Sequence, residues 1–204
     1  TMSFAATANV NITIGAIDVQ AGILQMHSGT SGTANVMVNG NITIGSGATF
    51  RRGSSSDSCA VAIGGNWDNN GTFTVGSCAV TFNGSSAQTI GGSSITIFNN
   101  LTVNSGATVV IPTDNTPTVS TALTNNGALR QTRNVGIDNT VFLNIGTAYY
   151  GVEIDPASTA MGDTTVTVSG NQFCPNASNG VRRCFDIYTP NPQTATVRFY
   201  FTDA

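Results

Sequence analysis

Residues 41–50, Asn41-Ile-Thr-Ile-Gly-Ser-Gly-Ala-Thr-Phe50, carry the pattern that decides the fold. An apolar strand is followed by a glycine-containing turn and then by a second short strand. The same order recurs in Asn66-Trp-Asp-Asn-Asn-Gly-Thr-Phe-Thr-Val75, in Asn100-Leu-Thr-Val-Asn-Ser-Gly-Ala-Thr-Val109 and in Ala122-Leu-Thr-Asn-Asn-Gly-Ala-Leu129. A degenerate copy begins at Val10. Repetition of this kind is the sequence signature of a repeat architecture.

The spacing of the copies is typical of solenoid coils. We interpret Gly47, Gly71, Gly106 and Gly127 as marking equivalent turns. The intervals are about two dozen residues, then a longer one, then about twenty, which is the range of solenoid repeats. The long interval between Gly71 and Gly106 is interpreted as a coil with an insertion, or as one and a half coils.

Stacking explains why such repeats form a core. In Asn11–Ile14 and Leu101–Val103 the aliphatic residues alternate with polar ones, so they can point inward together. One coil cannot bury that face alone, whereas the next coil covers it and completes the hydrogen-bond ladder. The sequence therefore predicts an all-β fold with a β-solenoid over residues 10–134, preceded by a strand-like arm over residues 1–9.

The pattern changes after about residue 135, where the repeats stop and the strands become longer. The last strand alternates, with Ala195, Val197, Phe199 and Phe201 on one face. Strands at roughly ten-residue spacing are typical of an antiparallel sandwich. We expect residues 135–204 to form a small antiparallel β-sandwich-like module that caps the last coil.

The four cysteines form two sequence-local pairs, Cys59 with Cys78 and Cys174 with Cys184. An even count in an Asn/Thr-rich chain favours disulfides, an oxidising compartment and a secreted or cell-surface protein. Four buried free thiols are the alternative, and zinc is less favoured because no C-x-x-C spacing or nearby His occurs. Cys59 and Cys78 are nearly one coil apart, so they could bridge adjacent coils.

Composition narrows the choice of partners. Only 8% of the residues are charged, the sequence contains no Lys, and the net charge is −3. The β-branched and aromatic content argues against disorder. Nucleic acid and anionic membranes are poor partners for a chain without a basic patch. No apolar run approaches the ~18 residues of a membrane span.

Four segments carry a family resemblance: Trp67–Val75, Val80–Gly84 (VTFNG), Ala87–Gly91 (AQTIG) and Phe98–Val103 (FNNLTV). In this order they resemble repeats of large secreted surface proteins of bacteria, closely over about forty residues and loosely over about 130. The C-terminal strands also look like the end module of such proteins. The resemblance implies a β-solenoid with an adhesin-like or scaffold role, and it supplies no catalytic residues to carry over.

The chain has few residues that could act in catalysis, with one His, one Glu and nine Asp. His27 follows Met26 in what reads as a polar loop, so we expect it to be exposed or at an edge. A polysaccharide lyase or hydrolase, which would use acids such as Asp57 and Asp68, is the least favoured function because the repeats contain no D-D, G-H-G or R-x-K motif.

Calcium is the more plausible cofactor, although no cofactor is predicted. Asp68, Asn69 and Asn70, or Asp155 with Asp163, could supply hard oxygen ligands. No D-x-D-x-D-G loop is present, and Asn and Asp in turns usually serve the backbone.

Two non-catalytic functions fit better than catalysis. The first is a subunit that assembles with itself, head to tail or by strand addition through an N-terminal arm containing Met2, Phe4 and Val10. The second is a monomeric adhesin or carbohydrate-binding module, which needs exposed aromatics; the candidates are Trp67, Tyr149 and Tyr150, with Trp67 expected in the core or packed in a turn.

The chain has two basic pairs, Arg51-Arg52 and Arg182-Arg183. Arg182-Arg183 precedes Cys184 in a predicted strand, where it could face Asp186 or a partner's carboxylates. Solvated edge charge is the favoured interpretation, since charge at an edge discourages unwanted strand pairing.

Overall fold

A computed structural model describes residues 1–5, 9–27, 33–53, 58–74, 76–146, 151–170, 174 and 182–200. The predicted all-β fold is confirmed. A β-solenoid of about five turns occupies residues 2–130, and a small three-stranded antiparallel sheet lies near the C-terminus. Among the described residues no helix is long and apolar enough to cross a membrane.

The solenoid has three faces, each a sheet of stacked strands. Face 1 has six parallel strands in the order β15-β13-β11-β8-β5-β2. Its strands are β2 (Val10–Ile14), β5 (Thr33–Val38), β8 (Ser58–Ile63), β11 (Ala79–Phe82), β13 (Ile97–Val103) and β15 (Thr118–Asn125).

Face 2 is the longest sheet, with eight strands in the order β20-β19-β16-β14-β12-β9-β6-β3. Its strands are β3 (Ile17–Val19), β6 (Ile42–Ile44), β9 (Trp67–Asn69), β12 (Gln88–Gly91), β14 (Thr108–Val110), β16 (Ala128–Val135), β19 (Gly162–Gly170) and β20 (Arg183–Tyr188). The first six pair in parallel, and the last two add on antiparallel.

Face 3 is the shortest solenoid sheet, in the order β1-β4-β7-β10. Its strands are β1 (Met2–Ala5), β4 (Ile23–His27), β7 (Thr49–Arg51) and β10 (Thr72–Thr74). A complete coil runs through face 1, face 2 and face 3 in turn. Hydrogen bonds between adjacent coils join Asn35 to Asn11, 24 residues apart, and Asn66 to Asn41, 25 residues apart.

The four turn glycines lie at two different corners, so the prediction that they are equivalent is wrong. Gly47 and Gly71 connect face 2 to face 3, whereas Gly106 and Gly127 connect face 1 to face 2. The long interval between Gly71 and Gly106 arises because the motif moves from one corner to the other, with β10, β11, β12 and β13 in between.

At each corner the two glycines are needed for different reasons. Gly47 has φ 76° and is the third residue of a turn closed by the Ala48 N–H and the Gly45 carbonyl at 2.9 Å, a position that favours glycine. Gly71, one coil later, lies over that turn, where a Cβ would overlap the Gly45 and Ala48 carbonyl oxygens. Gly106 (φ 83°) and Gly127 repeat this arrangement at the other corner.

The core is a column of inward-facing apolar side chains with an aromatic cluster in its middle. Trp67 is fully buried, which confirms its expected place in the core. Its ring centroid lies 4.5 Å from that of Phe73 and 5.3 Å from that of Phe98, both edge to face. Such pairs add to the stabilisation from burial alone.

The C-terminal strands close one end of the solenoid. β16 runs across the predicted boundary at 134/135, pairing in parallel with β14 and antiparallel with β19. A separate antiparallel sheet has the order β17-β18-β21, with β17 (Thr140–Phe142), β18 (Val152–Pro156) and β21 (Ala195–Phe199). Phe185 and Phe199 meet across the two sheets, with ring centroids 4.9 Å apart.

Both cysteine pairs form disulfides. Cys59 in β8 and Cys78, just before β11, lie on adjacent coils of face 1 with their Cα atoms 4.6 Å apart. The bridge therefore joins two neighbouring coils, as their spacing suggested. Cys174 and Cys184 have Cα atoms 4.9 Å apart in the C-terminal region.

Candidate functional site

The N-terminal end of the solenoid carries the outermost strands of all three faces, β1, β2 and β3. Within the described residues each of them pairs on one side only. In β3 the Ile17 N–H donates to Asn41 and the Val19 carbonyl accepts from Gly45, both toward the next coil. Because successive residues of a strand alternate, the Asp18 N–H and carbonyl face the open side.

Within the described part of the chain, the apolar interior is open at this end. Ile12 and Ile14 of β2 are only half-buried, whereas Val36 and Val38, their partners in β5, are 2% and 0% exposed. A cavity of about 450 Å³ lies there, lined by residues that include Phe4, Ile14 and Leu24. The first coil therefore leaves inward-facing apolar side chains uncovered.

The predicted assembly arm forms part of this first coil. β1 pairs in parallel with β4 of the same chain, with Met2 opposite Leu24. Met2 is 75% exposed, and Phe4 is half-buried against the core. Val10 opens β2 and pairs with Ala34. In this state the arm is not free, and its insertion into a neighbour stays a prediction.

The C-terminal end presents two outermost strands, β20 of face 2 and β21 of the three-stranded sheet. Phe185 and Ile187 of β20 are half-buried against the core. On β21, Val197 and Phe199 face the same side as the buried Ile154 and Val152, yet they are 37% and 47% exposed. Both ends of the molecule thus combine sheet edges with apolar side chains.

One polar cluster lies on the outer surface of the three-stranded sheet. The Tyr200 hydroxyl donates to the Glu153 carboxylate at 2.6 Å, and Arg198 forms an ion pair with the same carboxylate. The Tyr200 hydrogen bond, and then Arg198, lower the pKa of Glu153 below its ordinary value of 4.5. The same hydrogen bond raises the pKa of Tyr200. This arrangement ties β18 to the end of β21.

His27 is not where the sequence suggested. It ends β4, opposite Ala5 of β1, and is fully buried rather than exposed. The segment before it, Ile23–Met26, is strand and not polar loop, because β1 covers it from the N-terminal side. In the part of the chain that the structure describes, no three His, Cys, Asp or Glu side chains gather as metal ligands would.

The turn residues suggested for calcium are occupied by backbone and side-chain hydrogen bonds. Asp68 accepts from the Asn70 side chain at 3.0 Å, and Asn70 accepts from the Ser93 N–H at 2.9 Å. Asn69 is buried and accepts from the Gly71 N–H at 3.2 Å. The other suggested acids lie on different sheets, Asp155 on β18 and Asp163 on β19.

The aromatic candidates for sugar stacking do not form a site among the described residues. Trp67 is enclosed in the core, and Tyr149 and Tyr150 lie outside the described residues, as does Asp57. Of the basic pairs, Arg51 donates to Gln25 at 3.1 Å and Arg52 donates to Ser77 at 2.7 Å. Arg182 is exposed, just before β20.

Two buried side-chain amides and one buried hydroxyl form hydrogen bonds inside the solenoid. Their burial and hydrogen bonds were not predicted from the sequence. Gln88 accepts from the Gly84 N–H at 2.7 Å and donates to the Ile63 and Gly65 carbonyls of the coil below. Thr96 accepts from the Trp67 indole and from the Asn69 amide, both at 3.2 Å. The glutamine in the AQTIG segment was a visible signal, since a polar residue stands there at an inward position.

Comparison with protein-family models, with curated proteins and with solved structures found no significant match, so the resemblance to bacterial surface repeats assigns no family to this chain.

Proposed function

We propose that this protein is a non-catalytic structural subunit that assembles with copies of itself outside the cell, in a surface filament or matrix. The observation that carries the proposal is the open N-terminal end, where Ile12 and Ile14 stay half-buried although their partners one coil on are covered. Apolar surface and unpaired strand edges together favour association with another sheet.

The C-terminal end supports the same function from the other side. Val197 and Phe199 expose apolar surface beside the outer edge of β21. Two dissimilar surfaces at opposite ends of one molecule favour a head-to-tail contact, which grows into open assemblies unless a rotation closes it.

An extracellular location is supported by the cysteines. All four are paired, and one pair joins adjacent coils. Disulfides persist in oxidising compartments and are rare in the cytosol. A rigid, sparsely charged solenoid suits a scaffold that must resist unfolding outside the cell.

The proposal is tested by the assembly state of the purified chain. Sedimentation velocity over a wide concentration range, followed by negative-stain microscopy, should show polymers of uniform width that grow with concentration. A monodisperse monomer at every concentration would contradict the proposal. That result, together with hits on a glycan array, would favour the monomeric adhesin or carbohydrate-binding module instead.

A further inference from the structure

We propose that the copies join through face 2, with the outer edge of β20 of one copy pairing along the outer edge of β3 of the next. Face 2 would then continue unbroken from copy to copy. The inference rests on the proposed function and specifies its interface.

Topology singles out face 2 for this role. It is the sheet that runs from one end of the molecule to the other, with β3 as its first strand and β20 as its last. β20 is antiparallel to β19, and β19 is antiparallel to β16, so β20 points the same way as the solenoid strands. A copy that is stacked without inversion would therefore place β20 parallel to β3, the pairing used throughout the solenoid.

The alternation of side chains matches across this contact. Phe185 and Ile187 of β20 lie opposite the buried Val168 and Val166 of β19, so they face inward. Ile17 and Val19 of β3 also face inward and are 4% and 8% exposed. Pairing that aligns the inward faces keeps apolar side chains on one side of the sheet, as the two-residue period of a strand requires.

The same contact can also bring the apolar cores of the two copies together. Val197 and Phe199 of β21 have 37% and 47% of their surface exposed. The N-terminal cavity of about 450 Å³ is lined largely by apolar side chains such as Phe4 and Ile17. If Val197 and Phe199 of one copy enter the N-terminal cavity of the next, apolar surface is removed from water on both copies.

The charged residues at the two ends restrict the register of this contact. Asp18 is exposed on the outer side of β3, and Arg182 is exposed just before β20. Asp186 also lies on the outer side of β20, opposite Thr167. A register that sets Asp18 near Arg182 rather than near Asp186 avoids placing two carboxylates side by side.

Asp18→Pro tests the contact directly. The Asp18 N–H faces the open side of β3, while the ladder to β6 uses Ile17 and Val19. Proline is tolerated where the N–H faces outward from an edge strand, yet it removes the donor that a new strand needs. Ser46→Pro is the matched control, because Ser46 is the second residue of the Gly45–Ala48 turn, where proline is favoured.

Three outcomes distinguish the proposed contact between β20 and β3 from the proposed self-assembly. We expect Asp18→Pro to stay monomeric while Ser46→Pro assembles. Mixed in small amounts with the unmodified chain, Asp18→Pro should shorten the polymers, since its intact β20 adds to an end that then cannot grow. If Asp18→Pro assembles as Ser46→Pro does, this contact is wrong and self-assembly stands. If the unmodified chain stays monomeric, both are overturned.

Hydrogen exchange on the unmodified chain keeps the test independent of whether the proline variant folds. Peptides that contain Asp18 and peptides from 183–188 should exchange slower in the assembly than in the monomer, by about tenfold or more. Unchanged exchange at both places in an assembled sample would overturn the proposed pairing.

Discussion

Thr96→Val is expected to destabilise the protein strongly because it removes one hydroxyl on which two buried donors depend. The Trp67 indole and the Asn69 amide both donate to the Thr96 oxygen at 3.2 Å, and all three residues are at most 1% exposed. Valine keeps the shape and cannot accept either bond.

The expected loss of stability follows from the two buried donors, the Trp67 indole and the Asn69 amide, that lose their acceptor. Each buried donor left without an acceptor costs about 1–3 kcal/mol, which gives about 2–6 kcal/mol for the pair. For a chain of this length each kcal/mol lowers Tm by about 2–4 °C, so we expect a loss of about 4–24 °C. Thr72→Val is the control, since Thr72 is exposed on β10 and valine suits a strand.

Thermal unfolding followed by tryptophan fluorescence measures this effect at the site, because Trp67 is the single tryptophan. Thr96→Ser, which keeps the hydroxyl, should fall between the two valine variants. A Tm for Thr96→Val equal to that of Thr72→Val would refute the reasoning that this hydroxyl satisfies the buried cluster.

Three further changes test other parts of the account. Gly127→Ala should lower the urea midpoint more than Gly106→Ala, because its Cβ overlaps two carbonyl oxygens whereas alanine at Gly106 costs only the left-handed conformation, about 1–2 kcal/mol; the reverse order would contradict the stacked corners. Replacing Cys59 and Cys78 together by serine should cost about 3 kcal/mol in urea unfolding, since the bridge spans 19 residues; equal stability would argue against the bridge. The stability that Glu153 adds is fully present above its ordinary pKa of 4.5 and is lost as pH falls through its lower folded pKa. The Tm difference between the unmodified chain and Glu153→Gln should therefore shrink below pH 4.5, and a constant difference would count against this contribution.

Much of the fold was predictable because the solenoid repeats its local chemistry. Alternating aliphatics in segments such as Asn41–Ile44 became inward-facing strands, and Cys59 and Cys78 met on adjacent coils. The corners were harder to assign. A turn rich in Ser, Asn and Gly suits either corner of the coil, so Gly47 and Gly106 look alike in sequence although they connect different faces.

The contacts that depend on tertiary structure were out of reach. His27 is followed in sequence by the polar stretch Ser28-Gly-Thr-Ser31, yet it lies opposite Ala5 of β1 and is fully buried. Gln88 in β12 and Thr96 just before β13 are polar residues that lie inward, where they satisfy backbone and indole groups. The free edge of β3 follows from the strand order, which no local pattern encodes.

The axial repeat of the assembled protein, measured by cryo-electron microscopy or fibre diffraction, tests the central claim most directly. Face 2 has eight strands, so head-to-tail copies that continue this sheet should repeat every ~38 Å along the axis, at about 4.8 Å per strand. The map should also show β20 of one copy beside β3 of the next. A closed dimer, or a polymer in which face 2 is interrupted between copies, would contradict the account.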